Sequence, residues 1–253
     1  MTDVSRREFL KSGNWAAWRR EPTDQQRGVS CPPMQKEVPS ESKLLPLVPP
    51  EQFTVGGMPT IDALRQRRSW RRYSPTPLSV EELSFLVWAT QGIESLRGNG
   101  TISLRPVPSA GARHPFEGYL LVNRVTDIDP GLYRYLPLSH QLCLEAQGPD
   151  LVEAAQAASN DQYVRGSAVT FIWTALPYRS EWRYADHAHR VIAIDVGHLC
   201  QNLYLAATAI GVGVCAIAAY NQAAFDALLG VDGQDEFTIY LATVGKLPDR
   251  RSA

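Results

Sequence analysis

From residue 191 to 210, apolar side chains recur at 192, 196, 199, 203 and 206/207. That helical period predicts one long central helix, and its interspersed alanines let neighbours approach closely. Apolar runs without the period predict strands over 117–122, 132–136, 142–145, 168–176, 212–218 and 237–244. A further helix is expected over Leu151–Ala158. Ser79 followed by Glu82 reads as a capping box, opening a helix whose apolar face is Leu83, Leu86 and Val87. Another helix is expected from about residue 59, with Thr60 as candidate N-cap, ending near a cluster of arginines. Helices and strands are mixed without strict alternation.

Upstream of residue 59 the pattern fades. Between Glu21 and Pro59, seven prolines follow Pro22 with little periodicity, so residues 1–58 read as an N-terminal helix and extended arm and 59–253 as the folded domain. The segment Ser5-Arg6-Arg7-Glu8-Phe9-Leu10-Lys11 looks like a twin-arginine export signal, but residues 12–26 include Asn14, Arg19, Arg20, Glu21 and Asp24 and no Leu, Ile or Val where an apolar region is required. The expectation is therefore a retained, cytoplasmic N-terminus whose Phe9, Leu10, Trp15 and Trp18 dock on the body or a partner subunit.

A formal charge of -1 leaves no electrostatic footprint for nucleic acid, and no apolar run is long enough for a membrane helix. Cys31, Cys143, Cys200 and Cys215 lack metal-ligand spacing and read as mostly buried free thiols. His187 and His189, two apart, do not share a helix face, and no metal is expected. Gly211-Val212-Gly213-Val214-Cys215-Ala216 fits a dinucleotide fingerprint formally, yet it follows a helix and enters a strand, the reverse of the required order.

Two segments carry candidate chemistry. Arg65-Gln66-Arg67-Arg68-Ser69-Trp70-Arg71-Arg72-Tyr73 offers guanidinium forks and hydroxyls suited to a phosphate. Pro106-Val107-Pro108-Ser109-Ala110-Gly111 is a stiff loop of small side chains that a flat ligand can approach closely. On the long helix, Asp195, His198 and Asn202 share a face. That stripe reads either as a polar lining for cofactor or substrate or as a hydrogen-bonded stripe at a packing contact.

The arginine-serine cluster and the P-S-A-G loop together resemble the FMN-dependent nitroreductase superfamily. Gly131-Leu132-Tyr133-Arg134-Tyr135, the run from Asp195 to Ala207, Gly211-Val212-Gly213 and Val244-Gly245-Lys246 follow in the order of its SagB-type dehydrogenase branch. The resemblance implies an α+β sandwich, a central mainly antiparallel sheet flanked by helices, that homodimerises and holds FMN in clefts at the dimer interface. It implies that Arg67, Arg68, Ser69 and Arg71 grip the phosphate and ribityl chain, with Lys246 completing the phosphate site. Pro108, Ser109, Ala110 and Gly111 would line the isoalloxazine ring, and Ala218 and Ala219 would pass beneath it. That branch oxidises peptide thiazolines or oxazolines using a Lys-Tyr pair for the substrate proton. Here the matching stretch keeps Tyr184 but has Arg183 for lysine, and arginine stays protonated, so it offers charge and donors rather than a base. Three readings stay open: an azoline-type dehydrogenase, an NAD(P)H-dependent nitro or quinone reductase, and a non-catalytic flavoprotein or accessory subunit.

Overall fold

A computed structural model of the chain describes residues 7–12, 15 and 22–248. Its centre is a seven-stranded sheet in the order β1-β6-β5-β4-β7-β9-β8. The strands are β1 (Leu44–Pro46), β4 (Phe116–Val122), β5 (Gly131–Leu136), β6 (Gln141–Ala146), β7 (Val169–Ala175), β8 (Val212–Ile217) and β9 (Phe237–Lys246). Every neighbouring pair is antiparallel. A small hairpin, β2 (Ser95–Arg97) with β3 (Ile102–Leu104), stands apart.

The central strands β4 and β7 are buried along their whole length, because helices cover both faces of the sheet. Alternate side chains therefore enter two cores. On one face Phe116, Leu120, Phe171 and Trp173 pack against Leu83, Leu86 and Val87 of α2 (Val80–Gln91) and Ile192, Val196, Leu199 and Leu203 of α5 (Ala188–Ala209). On the other, Tyr119, Leu121, Ile172 and Leu241 meet α3 (Leu151–Ala158) and α6 (Gln222–Leu229). The long apolar period thus becomes the helix that crosses the functional face.

The capping box forms as expected, Ser79 and Glu82 satisfying each other's backbone amides. In α1 (Thr60–Gln66) the cap falls one residue early, at Pro59, and Thr60 is the first helical residue. Two helices escape the periodicity, α4 (Tyr178–Tyr184) and α6. For α6 a local signal was present: Asn221 caps the Ala224 amide, and Gly230 closes the helix at φ 68°. Within the arm, Leu44–Pro46 joins the sheet edge beside β6.

Lys36 is tied to the sheet as well. Glu117, buried in β4, accepts from the Lys36 amide (2.9 Å) and from Arg179 Nη2 of α4 (2.5 Å), with Arg134 Nη1 3.8 Å away. Phe9 and Leu10 are exposed and so do not dock on the body of their own chain, and Trp18 lies outside the described residues. Cys143, Cys200 and Cys215 are buried free thiols, while Cys31 is half-buried. Among the described residues no helix is long and apolar enough to cross a membrane.

Candidate functional site

Beyond α1 the arginine segment runs extended along the outer edge of β8. Ser69 forms a parallel bridge with Val214, and the Trp70 amide donates to the Val214 carbonyl (2.8 Å). Extended backbone alternates its side chains, which separates the cluster into two sets. Arg67 and Ser69 meet Tyr204 of α5, the guanidinium 5.4 Å from the ring centroid and the serine hydroxyl 3.0 Å from the phenol oxygen. The Tyr204 oxygen also accepts from the Ala216 amide (2.9 Å), and either hydroxyl of the Ser69–Tyr204 pair can be the donor. Arg71, two further on, falls on the same side and is exposed; its charge opposes the burial that raises the Cys215 thiol pKa.

Arg68 turns the other way. It donates to the carbonyls of Arg65 and Arg67 and, with Arg65, Trp70 and Thr208, lines a separate cavity of about 530 Å³. Lys246 closes β9 with its ammonium paired to Glu82 at the start of α2. Ala218 and Ala219 lie exposed just past β8, the Ala219 carbonyl accepting from Asn160 and Gln162.

The P-S-A-G loop is held by the polar stripe of α5. Asp195, only 5% exposed, accepts from the Ser109 hydroxyl (2.6 Å) and the Ala110 amide (2.9 Å) through the same oxygen. Burial raises its pKa, while these two donors and His198 pull the other way. Ser109 Oγ in turn accepts from the His114 amide (2.9 Å), closing the loop on itself. Asn202 donates to the Ala89 carbonyl (2.9 Å) and reaches that of Pro106 at 3.5 Å. Two members of the stripe are thus structural hydrogen-bonders, and half-exposed His198 stands beside them, Nδ1 3.8 Å from Asp195 Oδ1. Asp195 and Tyr204 are nine residues apart, about 13.5 Å along one helix.

Gly111 sits at φ 59°, in the left-handed region. A Cβ there would lie 2.6 Å from the Tyr184 hydroxyl and 2.7 Å from Cδ and Nε of Arg183. The fold therefore brings the loop onto the two residues that stand where the SagB-type branch has its Lys-Tyr pair. Arg183 Nε donates to the Tyr184 oxygen (3.3 Å). Their helix, α4, is fixed from behind by the Arg179–Glu117 pair and by Arg113 of the loop. Arg113 lies 4.9 Å over the Trp182 ring and donates to the Arg179 carbonyl (3.0 Å). His114, buried beside Arg105 and Arg113, is held neutral, its pKa pushed down to about 3 chiefly by burial. Tyr204, Arg113 and Gly111's neighbour contacts carried no periodic signal; only the three-dimensional packing gives them roles.

An antiparallel sheet covered on both faces, with an arginine-rich segment and a small-residue loop laid along one helix, defines an α+β architecture with a long helix across one face of the sheet. The sequence profile of the nitroreductase family matches residues 64–246, and the chain belongs to that family. It is 32% identical over 185 residues to MJ1384 of Methanocaldococcus jannaschii, a protein named a nitroreductase, covering 73% of this chain and 89% of the relative. It is 28% identical over 166 residues to the trifolitoxin-processing protein TfxB of Rhizobium leguminosarum bv. trifolii, covering 62% of this chain and 44% of TfxB. Among solved structures, the fold matches a chain of the Escherichia coli microcin synthetase McbBCD complex with truncated pro-MccB17 bound, at a TM-score of 0.63 and 19% identity, covering 98% of each chain. It also matches a nitroreductase-type protein of Desulfovibrio desulfuricans in complex with FMN, at a TM-score of 0.51 and 19% identity, over 76% of this chain and 88% of that one.

Proposed function

We propose that the protein is an FMN-dependent oxidoreductase of the SagB-type dehydrogenase branch, oxidising a peptide azoline or a related small molecule. One observation carries the reading: the small-residue loop meets Arg183 and Tyr184 at Gly111, so a flat cofactor on the loop would lie beside a candidate proton-transfer tyrosine and a guanidinium charge. The similarity to TfxB supports the peptide-modifying branch.

The residues present fit FMN. Arg67, Ser69 and Arg71 share one side of an extended segment, with Ser69 and Arg71 open to solvent and Ser69 within hydrogen-bond distance of Tyr204. They would hold the phosphate, and Arg68 and Lys246 would add positive potential nearby. Pro108, Ser109, Ala110 and Gly111 would line the ring, with Ala218 and Ala219 beneath it. When bound, FMN exchanges a hydride with the substrate. The protein's part is to orient and to move a proton: Tyr184 Oη, acting as the phenolate, would accept the substrate proton to become the neutral phenol, while Arg183 contributes charge and N–H donors. Asp195 keeps the loop in place.

The same reading includes a homodimer. Ile61 and Leu64 of α1 and Ile194 of α5 are exposed apolar side chains, and Gly197 leaves open space on the same face of α5, a surface suited to a second copy.

The test is the visible spectrum of the purified protein before and after anaerobic NADPH and NADH, followed by an azoline peptide. Flavin peaks that persist with nicotinamides and bleach with the azoline are expected. Rapid bleaching by NADPH alone moves the assignment to a nitro or quinone reductase, and a colourless protein that cannot be reconstituted with FMN overturns the reading.

A further inference from the structure

The arm reaches the proposed chemistry. Residues 23–29 form a turn closed by reciprocal bonds between Thr23 and Gln26, with Thr23 buried beneath it. The turn is bonded along the length of α4: Tyr178 Oη donates to Asp24 (3.1 Å), the Gln25 amide to the Trp182 carbonyl (2.9 Å), and Trp182 Nε1 to the Val29 carbonyl (2.8 Å). From this turn the Gln25 side-chain oxygen accepts from Arg183 Nη1 (3.2 Å). Upstream, the Trp15 ring stands 5.9 Å from Tyr184, edge-on, and 5.3 Å from His187.

We propose that Trp15 and Gln25 form the substrate-side wall of the site, with Gln25 as a positioning residue for Arg183, so that the guanidinium meets an oxygen acceptor carried on a flat ring beside Trp15. The inference rests on the flavin reading, since it is the loop at Gly111 that places the ring beside Arg183.

The choice of glutamine is the physical core of the inference. A neutral amide oxygen fixes the guanidinium without cancelling its charge. Among the described residues no carboxylate lies within ion-pairing distance of Arg183, whose Nε is directed to Tyr184. Its charge and its remaining N–H groups are therefore available to a substrate oxygen. An azoline within a peptide carries a carbonyl directly on its ring, which is the group such a guanidinium would meet. Trp15 supplies an aromatic wall beside Tyr184, against which a flat ring loses little freedom on binding.

The experiment uses full-length, FMN-loaded protein and measures binding of thiazole-4-carboxylate and of its neutral amide by calorimetry. Gln25→Glu keeps the acceptor but adds a negative charge, so carboxylate affinity should fall about tenfold while amide affinity stays within about twofold. Trp15→Ala should weaken both ligands, and Trp15→Phe should restore most of the loss. A purely structural role for the turn would lower both affinities equally in Gln25→Glu, and that result overturns the inference. So does a holoprotein that binds neither azole, or one whose affinities are the same in all variants. Those outcomes leave FMN binding intact, whereas a wild-type protein that never takes up FMN overturns both readings together.

Discussion

Replacing Gly111 by alanine tests the contact on which the functional reading turns. Two costs follow from the structure. A side chain at φ 59° costs about 1–2 kcal/mol in the left-handed region. The new Cβ also lies 2.6 Å from the Tyr184 hydroxyl and 2.7 Å from Arg183 Cδ and Nε, well inside contact distance. Those atoms are ends of flexible side chains, so they move rather than the backbone, and the price is the one hydrogen bond that joins them, about 1 kcal/mol. The sum is about 2–3 kcal/mol, which for a protein of this size lowers the melting temperature by about 4–12 °C. The assay is thermal unfolding of the FMN-free protein followed by circular dichroism, so no substrate is needed. Arg183→Ala removes two of the three overlapping atoms, so Gly111→Ala should cost roughly 1 kcal/mol less in that background. A melting temperature unchanged by Gly111→Ala, or strict additivity with Arg183→Ala, would refute the placement of the loop against α4.

Other predictions concern separate parts of the molecule. Arg71→Ala should leave the protein folded but without FMN, checked by absorbance after gel filtration; a fully yellow variant removes Arg71 from the phosphate site. Tyr184→Phe should keep FMN and lose turnover of an azoline peptide, and unchanged turnover would take Tyr184 out of the chemistry. Asp195→Ala leaves the Ala110 amide and Ser109 hydroxyl without their shared acceptor, so stability should fall by about 2–4 kcal/mol in denaturant unfolding and FMN should bind more weakly. His114 has a folded pKa near 3 against about 6.5 in the unfolded chain. Below about pH 6.5 the unfolded state binds a proton that the folded state refuses. Its contribution is complete above that pH and is lost toward pH 3 at up to about 1.4 kcal/mol per pH unit, and His114→Gln should flatten that slope.

Much of the scaffold was legible along the chain. The apolar run at 168–176 became β7, the helical period at 191–210 became α5, and Ser79 with Glu82 became a capping box, because each is decided by short-range periodicity and backbone satisfaction. The arginine cluster and the P-S-A-G loop were likewise visible, since their composition alone limits what they suit. The helix α4 was not, as seven residues mixing tyrosine, arginine, glutamate and tryptophan have no clear face, and what stabilises it is burial of Arg179 against Glu117, 62 positions away. Which arginines belong together was also hidden: Arg67 is set apart from Arg68 by the extended backbone beside β8 and by Tyr204, more than 130 residues downstream. The meeting of Gly111 with Arg183 and Tyr184, and of these with Trp15 and Gln25, joins three distant stretches of chain. Residue type and local order were written in the sequence; adjacency between such stretches depends on how sheet and helices pack, and only the tertiary structure decides it.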